Sequence, residues 1–424
     1  MKVLLVGGGG REHALGWKIA QSPVLSKLYL APGNPGLKPL GETLAISADD
    51  VDGLVSAAHS LKIDLVVAGP EGPLAAGLAD RLGETGVPCF GPSRAAARLE
   101  TSKGFAKEVS AAAGAPTAAY ARFSEARAAK TYLRGQPAPY VVKADGLAAG
   151  KGVVIADTLA EADAAVDAML GGGFGEAGAE IVIEEFMQGE EASFFVLSDG
   201  ERISPLIAAQ DHKRAFDGDK GPNTGGMGAY SPAPVFTPEI ERLSMTRIIE
   251  PVVQEMARRG TPYRGVLYAG LMVDEKGPRL VEFNARFGDP ECQVLMRRLK
   301  SDILPALYAS ATGALNGARL DWTGEAAALV VLAAKGYPGA YKKGSRIHGV
   351  EDANAVPGIV VFHAGTEEKD GALLASGGRV LNVTATGADI GEAVARAYEG
   401  VDRIDWPDGF CRRDIGWRAL ARNR

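Results

Sequence analysis

The chain has 424 residues, of which 46% are hydrophobic, so it is long enough for about three domains with apolar cores. Its formal charge of −6 and pI near 5.6 argue against nucleic acid or an anionic membrane as a partner, because such partners favour a basic face. Three widely spaced cysteines argue against a disulfide framework or a zinc site. No apolar run reaches the ~20 residues of a membrane span, and a cytoplasmic protein is expected.

Residues 1 to about 100 alternate strand and helix patterns. Short apolar runs indicate strands at Val3–Val6, Lys27–Leu30, Asp64–Ala68 and Val87–Phe90. Helical periodicity lies between them, at Arg11–Ala20, Asp49–Leu61 and Leu74–Leu82. This alternation predicts a parallel, doubly wound sheet. A single long alanine-rich helix over Ser93–Ala113 is expected to lead into the next domain.

Four glycines, Gly7 to Gly10, join the first strand to the first helix, where a helix N-terminus can bind an anion. A dinucleotide-binding fingerprint is disfavoured, because neither G-x-G-x-x-G frame, from Gly7 or from Gly8, ends on a glycine. No acidic residue follows the second strand either. The sequence favours a backbone cradle for a substrate phosphate at Gly8, Gly9 and Gly10, and a structural tight turn is the alternative.

A second glycine cluster lies between two predicted strands, Tyr140–Lys143 and Gly152–Ile155. It differs from a P-loop, since Gly146 and Gly150 are only four apart and Lys151 precedes a glycine. A P-loop also opens a helix, whereas this loop joins strands. We interpret it as a mobile loop, with a lysine at either end, that can fold over nucleotide phosphates. The alternative is a flexible hairpin with solvated lysines.

An apolar strand, Ile181–Phe186, ends on Glu184, Glu185 and Phe186. An exposed backbone there can hydrogen-bond an adenine edge, with the Phe186 ring as apolar cover. Glu191 lies seven residues after Glu184 and could accept ribose hydroxyls. Taken alone, Glu191 is more simply a surface carboxylate.

The charged run Asp211–Arg214 feeds a third glycine-rich loop within Gly221–Tyr230. This loop has little side-chain bulk and many backbone amides, which suits a sugar phosphate or a reactive acyl phosphate. A plain glycine loop is the alternative.

The most informative pattern is a predicted β-hairpin, with a first strand at Gly265–Val273 and a second that begins at Arg279. Alternate side chains of a strand share a face, so Glu282, Asn284 and Arg286 are expected to point the same way. A carboxylate and an amide oxygen suit Mg²⁺ that bridges nucleotide phosphates. The guanidinium can clamp a carboxylate or an acyl phosphate. An edge strand with one wet polar face is the alternative.

These residues, taken in order, resemble the ATP-grasp ligases: Lys143 with its loop, Glu184–Phe186, Glu191 and Glu282-x-Asn284-x-Arg286. Further runs resemble the phosphoribosylamine–glycine ligases (glycinamide ribonucleotide synthetases) within them, at Arg11–Ala14, Asp211–Arg214, Asn223–Gly228, Arg286–Gln293 and Phe410–Gly416. The resemblance covers essentially the whole chain. The strand before Glu282 contains no second acidic ligand, which leaves the number of metal ions open.

The resemblance implies an α/β ATP-grasp fold in three parts. They are an N-terminal doubly wound substrate domain (1–101), an ATP-grasp domain (102–325) with a mobile lid at about 121–188, and a β-rich C-terminal domain (326–424) that walls one side of the cleft. The implied reaction joins glycine to 5-phosphoribosylamine through glycyl phosphate. It consumes ATP and gives glycinamide ribonucleotide, ADP and phosphate in de novo purine biosynthesis. Mg²⁺ or Mn²⁺ would be the cofactor, and a monomer without nucleic-acid or membrane partners is expected.

Roles follow from the same resemblance. ATP binding is expected at Lys103, Lys143, Gly150, Lys151, Gly152, Glu184, Glu185, Phe186 and Glu191, and metal binding at Glu282 and Asn284. Arg286 would steady the glycine carboxylate and its phosphate, with Asp211 and Lys213 as further catalytic residues. Substrate binding is expected at Gly8, Gly9, Gly10, Asp211, Lys213, Gly225, Gly226 and Asp289.

Other functions fit parts of the pattern. A biotin carboxylase-like subunit shares the Glu-x-Asn-x-Arg strand but should lack the Asp289–Glu291 run and the Asn223–Gly228 loop. An NAD oxidoreductase should complete its glycine fingerprint, and a non-catalytic nucleotide-binding module should lack Glu282 or Lys143. Another ATP-grasp carboxylate–amine ligase is the remaining alternative.

Overall fold

The computed structural model describes residues 1–146, 152–173, 175–317 and 319–422. The N-terminal sheet has five parallel strands: β1 (Lys2–Gly7), β2 (Lys27–Pro32), β3 (Glu42–Thr43), β4 (Leu65–Ala68) and β5 (Cys89–Phe90). Its helices are α1 (Gly10–Ile19), α2 (Val51–Ser60), α3 (Glu71–Ala75) and α4 (Leu78–Glu84). The strand order β3-β2-β1-β4-β5 confirms the predicted doubly wound sheet.

The central strand of this sheet is buried on both faces. Val3 and Leu5 of β1 pack into one apolar core, and Leu4 and Val6 pack into another. In sheets of this order the crevice beyond the carboxyl ends of the strands, where the order reverses, is the usual ligand site. The turns that follow β1 and β4 are therefore placed to contribute to a site.

The prediction of a single helix over Ser93–Ala113 is wrong. The structure has two helices, α5 (Arg94–Thr101) and α6 (Lys103–Ala112), separated by Ser102 in an extended conformation (φ −139°, ψ 111°). The Ser102 hydroxyl donates to Asp145 Oδ2 (2.9 Å), and the Lys103 amide donates to the Asp145 carbonyl (3.1 Å). The hydrogen bonds from Ser102 and Lys103 to Asp145, at the end of the strand Tyr140–Ala144, thus interrupt the helix. The local sequence pattern does not reveal these bonds, because Asp145 lies more than forty residues away.

Residues 120–184 form a small unit with its own antiparallel sheet and its own apolar core. Its elements are β6 (Tyr120–Phe123), α7 (Ala126–Leu133), β7 (Tyr140–Ala144), β8 (Val153–Ala156), α8 (Leu159–Ala168) and β9 (Ile181–Glu184). The glycine loop joins β7 to β8, and its residues 147–151 lie outside the described part of the chain. This unit matches the region predicted to form a lid.

The next region forms a second antiparallel sheet and a set of hairpins. Its strands are β10 (Glu190–Asp199), β11 (Ile203–Pro205), β12 (Gln210–Asp211), β13 (Arg214–Phe216), β14 (Lys220–Asn223), β15 (Gly228–Ser231), β16 (Arg264–Asp274) and β17 (Gly277–Asn284). Its helices are α9 (Pro238–Ser244), α10 (Glu250–Arg258), α11 (Glu291–Arg298) and α12 (Leu304–Thr312). The predicted hairpin is confirmed as β16–β17, and Gly270 pairs with Glu282 next to a β-bulge.

The C-terminal region adds strands to a sheet that begins much earlier in the chain. Its elements are β18 (Ala326–Ala334), α13 (Val350–Asn354), β19 (Ile359–His363), β20 (Thr366–Lys369), β21 (Ala372–Ala375), β22 (Arg379–Gly387), α14 (Ile390–Val401), β23 (Gly409–Phe410) and α15 (Trp417–Arg422). The strand order β12-β15-β18-β22-β19 shows that β12 and β15 belong to this sheet. The charged run at Asp211 is therefore held against the C-terminal strands.

No helix in the described ranges is long and apolar enough to cross a membrane.

Candidate active site

A cavity of about 600 Å³ lies between the N-terminal domain, the 120–184 unit, the β16–β17 hairpin and the C-terminal strands. Most of the residues predicted to act on substrates line it: Lys103, Lys143, Gly152, Glu184, Glu185, Phe186, Glu191, Asp211, Lys213, Gly225, Glu282, Asn284, Arg286 and Asp289. Gly150 and Lys151 lie outside the described residues. The chain therefore brings together groups that are separated by up to 186 positions in sequence.

Two buried lysines hold the carboxylate of Glu184. Lys143 Nζ lies 2.9 Å from Glu184 Oε2, and Lys107 Nζ lies 3.3 Å from Oε1. Burial lowers the pKa of Lys107 to about 8, against the raising effect of Glu184. Lys107 was missed by sequence reasoning, although its position four residues after Lys103 on α6 places both on one helix face.

Lys103 stands at the start of α6, and its Nζ donates to the Gly146 carbonyl (3.4 Å) where the glycine loop begins. Burial lowers its pKa, while Glu282 raises it. Lys103, Lys107 and Lys143 together give this end of the cavity a concentration of positive charge. Such a site suits the phosphates of a nucleotide.

The residues predicted near adenosine line the same cavity. Glu185 pairs with Arg279 Nη1 (3.0 Å), and its backbone amide donates to the Ala119 carbonyl (2.8 Å). Glu191, at the start of β10, pairs with Lys213 (2.5 Å between Oε2 and Nζ). Glu191 is thus engaged by a lysine rather than being an isolated surface carboxylate.

Glu282 of β17 faces the lysines. Burial alone would raise the pKa of Glu282, but Lys213, Lys143 and Lys103 outweigh it and the pKa is lowered. Asn284 lies two residues further along the strand and is buried, whereas Glu282 is partly exposed to the cavity. In the described part of the chain no three His, Cys, Asp or Glu residues form a metal-binding group. One carboxylate and one amide oxygen fit a hard cation that takes its remaining ligands from phosphates and water.

Arg286 is held by two carboxylates of the N-terminal region. Its Nη2 lies 3.0 Å from Glu100 Oε1, and its Nε lies 3.3 Å from Glu71 Oε2. Burial opposes the charge, but Glu100 and Glu71 raise the pKa of Arg286. Arg286 Nη1 also donates to the Phe287 carbonyl (3.3 Å). Because a guanidinium has five N–H donors, these three contacts leave two donors for a ligand.

Asp211 and Lys213 line the cavity at the end of β12. Burial raises the pKa of Asp211 to about 7, with Lys213 acting in the opposite direction. Burial would lower the pKa of Lys213, yet Glu191 and Asp211 raise it well above its usual value. The site thus pairs a permanent ammonium with a carboxyl group that titrates near neutrality.

The C-terminal module reaches the cavity through Arg379 of β22 and Tyr337. Arg379 lies 2.9 Å from Asp289 Oδ2 and donates to the carbonyls of Asp289 (2.6 Å) and Gly225 (2.5 Å). The Tyr337 hydroxyl accepts from the Gly225 amide (3.2 Å). The expectation that this module walls the cleft is confirmed, and the module also supplies a cation that sequence reasoning did not identify.

The predicted glycine cradle lies beside the cavity. Within the described residues, this turn contributes Arg11 to the lining, whereas Gly8, Gly9, Gly10 and also Gly226 are not part of it. Gly9 donates its amide to Glu12 Oε2 (2.6 Å), so the chain's own carboxylate occupies one amide that a phosphate would use. Gly226 has a φ of +110°, which requires glycine in this turn.

Comparison with known proteins identifies the family. The models for the three domains of phosphoribosylglycinamide synthetase match in order: the N domain at residues 1–100, the ATP-grasp (A) domain at 101–292 and the C domain at 327–418. The chain belongs to the phosphoribosylglycinamide synthetase family. The predicted α/β ATP-grasp fold with its three parts is therefore confirmed.

Relatives match the chain end to end. It is 60% identical over 424 residues to the phosphoribosylamine–glycine ligase of Mesorhizobium japonicum, covering 100% of both chains. It is 58% identical to that of Brucella melitensis, covering 100% of this chain and 99% of the relative. A crystal structure of phosphoribosylamine–glycine ligase from Thermotoga maritima matches with a TM-score of 0.85 at 32% identity, covering 98% and 100% of the two chains.

Biotin carboxylases share the fold alone. The enzyme from Campylobacter jejuni matches with a TM-score of 0.73 but only 15% identity, over 97% of this chain and 92% of that one. The carboxylase alternative is thus set aside in favour of the phosphoribosylglycinamide synthetase family. Membership of this ATP-grasp family also implies a need for ATP and a divalent metal ion.

Proposed function

We infer that this protein is an ATP-dependent carbon–nitrogen ligase that joins glycine to 5-phosphoribosylamine. The products are glycinamide ribonucleotide, ADP and phosphate, in purine biosynthesis. The observation that carries the inference is the lining of the cavity, where three lysines, Glu282 and Arg286 lie together. The chain around this cavity also matches the family over its whole length.

An omission assay tests this function. ADP release should require ATP, glycine and phosphoribosylamine together, with glycinamide ribonucleotide formed in equal amount. ADP release that proceeds without glycine, or that bicarbonate supports in its place, would contradict the proposed function.

The first step activates glycine, because a carboxylate is a poor electrophile. A glycine carboxylate oxygen attacks the γ-phosphorus of ATP, the bond to the bridging oxygen breaks, and ADP leaves. We propose that Lys103 and Lys143 neutralise the phosphate oxygens and that Arg286 aligns the carboxylate with its two remaining donors. Glu184, Glu185 and Phe186, with Glu191, would hold the adenosine.

Glu282 and Asn284 would hold the divalent cation. When bound, such an ion neutralises and polarises the phosphoryl oxygens. Glu282 suits this task because the neighbouring lysines lower its pKa and so maintain a charged carboxylate. We propose Mg²⁺ or Mn²⁺, since the oxygen donors suit both ions.

The second step forms the carbon–nitrogen bond. The amine of phosphoribosylamine attacks the carbonyl carbon of glycyl phosphate, the carbon–oxygen bond to phosphate breaks, and the nitrogen gives up a proton. Asp211 is proposed to accept that proton, because a carboxylate with a pKa near 7 suits a general base at neutral pH. Lys213, with Gly225 and Asp289, would bind phosphoribosylamine. The amides of Gly8 and Gly10 are proposed to support its phosphate, and Gly9 would do so only if its amide exchanged Glu12 for the phosphate.

The 120–184 unit is proposed to close over the cavity and exclude water from glycyl phosphate. Its separate apolar core supports movement as one body. A cytoplasmic location is also proposed, because Cys89, Cys292 and Cys411 are free thiols. The charge of −6 disfavours a nucleic-acid partner, and we propose a monomer.

Lys143→Ala should weaken ATP binding by about 10-fold or more, since it removes a charge-assisted contact, while Lys107 still pairs with Glu184. Calorimetric titration with a non-hydrolysable ATP analogue measures the change. Lys276→Ala, at the exposed turn of the β16–β17 hairpin, is the matched control. Unaltered affinity in Lys143→Ala would count against its contact with phosphate.

The pH profile tests Asp211. If its carboxylate is the base, kcat/KM for phosphoribosylamine should rise as pH increases through about 7, where Asp211 loses its proton, and fall below that pH. Asp211→Asn should not show this rise. Both proteins are measured at the same pH values, so that titration of the substrate affects them equally and does not contribute to the difference. An identical pH profile in Asp211→Asn would exclude Asp211 as the base.

A further inference from the structure

Glu291 is a buried carboxylate in the cavity whose partners are neutral. It is 3% exposed, and its Oε1 accepts from Tyr268 OH (2.9 Å) and Ser193 Oγ (3.0 Å). Among the described residues no Lys, Arg or His nitrogen lies within 4.0 Å of it. This contrasts with Glu184, Glu191 and Asp289 in the same cavity, each of which has its own cationic partner.

The start of α11 and the neighbouring Gly288 fix the position of this carboxylate. Glu291 opens α11, where the helix N-terminus favours a negative charge. A Cβ at Gly288 would collide with Glu291 Oε2, so the glycine leaves room for the carboxylate at that point. Arg286 and Asp211 line the same cavity, and the charge of Glu291 raises the pKa of each. Glu291 therefore stands close to the proposed carboxylate clamp and to the proposed base.

Glycine poses a specific recognition problem. At neutral pH it carries an ammonium group next to its carboxylate, and Arg286 accounts only for the carboxylate. A buried ammonium needs a charged or strongly polar acceptor, and a buried carboxylate without a cation has the converse need. The two unmet requirements are complementary.

We propose that Glu291 binds the ammonium group of the glycine substrate through Oε2, while Ser193 and Tyr268 fix the carboxylate through Oε1. This subsite rests on the proposed ligase function and assigns the group that distinguishes an amino acid from other small carboxylic acids. The Tyr268 and Ser193 hydroxyls act as positioning groups. Lys213 and Asp211 remain on the phosphoribosylamine side.

Glu291→Gln tests the proposal, because the amide keeps an oxygen for both hydroxyls and loses only the charge. The KM for glycine should rise about 30-fold or more, the scale of breaking a buried charge pair, with the KM for ATP unchanged. Glycolate, which has a hydroxyl in place of the ammonium, should compete with glycine as well in the variant as in the wild type. An unchanged KM for glycine would overturn the proposal, and so would equal weakening of glycine and glycolate.

Two further variants complete the test. Tyr268→Phe keeps the ring packed on Phe195 (4.7 Å between centroids) and should raise the KM for glycine by about 3–10-fold without changing glycolate inhibition. If Glu291→Gln does not fold, an unchanged ratio of glycine to glycolate affinity in Tyr268→Phe overturns the proposal instead. Glu399→Gln, on the exposed side of α14, is the matched control.

The ligase function and the role of Glu291 can be rejected separately. A wild-type protein that forms no glycinamide ribonucleotide would reject the ligase function. A wild-type protein that forms it, beside a Glu291→Gln variant with the wild-type KM for glycine, would reject only the role of Glu291.

Discussion

Glu282→Gln should reduce turnover by at least ~100-fold and leave the fold intact, since that is the scale of losing one transition-state electrostatic contact. The carboxylate lines the cavity, where Lys213, Lys143, Lys103 and Arg286 lower its pKa against the raising effect of desolvation. Glutamine preserves the shape and one oxygen ligand but removes the negative charge. The metal concentration that supports half-maximal turnover should therefore also rise.

The control for this variant lies in the same hairpin. Glu275→Gln changes an exposed carboxylate in the turn between β16 and β17, so it makes the same chemical change without touching the cavity. Steady-state kinetics with varied Mg²⁺ should separate the two. Wild-type turnover in Glu282→Gln would remove Glu282 from the metal site.

Arg286→Lys should be comparably severe, with turnover lowered by ~100-fold and the KM for glycine raised. A lysine ammonium cannot satisfy Glu71 and Glu100 together and still offer two parallel donors to a carboxylate, because it lacks the planar fork. Any donor that it turns towards the substrate leaves a buried carboxylate of the N-terminal region with a weaker partner.

Arg242→Lys is a suitable control, because Arg242 pairs with Glu239 on the exposed surface of α9. Thermal unfolding of both variants separates loss of stability from loss of catalysis. If Arg286→Lys leaves both the KM for glycine and the turnover unchanged, the proposed clamp on the glycine carboxylate is wrong.

Local patterns in the sequence were sufficient for the parallel N-terminal sheet and for the β16–β17 hairpin. Both depend on short-range periodicity: apolar runs separated by helices in the first case, and alternation along Glu282 and Asn284 in the second. The predicted alternation does not extend to Arg286, because β17 ends at Asn284. The structure places all three of these side chains at the cavity. The sequence could therefore bring together the proposed metal-binding pair and an arginine before any tertiary structure was considered.

Contacts between residues far apart in the sequence could not be predicted from those local patterns. Glu71 and Glu100 reach Arg286 across 215 and 186 positions, and nothing near either residue indicates this partner. The break at Ser102 likewise depends on Asp145 in a different strand. The pairing of β15 with β18 joins segments about a hundred residues apart, so the sequence did not reveal that Arg379 reaches Gly225. Each of these features is decided by ion pairs, hydrogen bonds or strand pairing between distant segments rather than by local propensity.

In the proposed reaction ATP activates glycine by phosphorylating its carboxylate, and an isotope-transfer measurement can follow this step. Glycine labelled with ¹⁸O in both carboxylate oxygens is turned over with ATP and phosphoribosylamine, and the released phosphate is analysed by mass spectrometry. One ¹⁸O atom is expected in each phosphate, because the attacking carboxylate oxygen leaves with the phosphoryl group. Release of phosphate without ¹⁸O would contradict it.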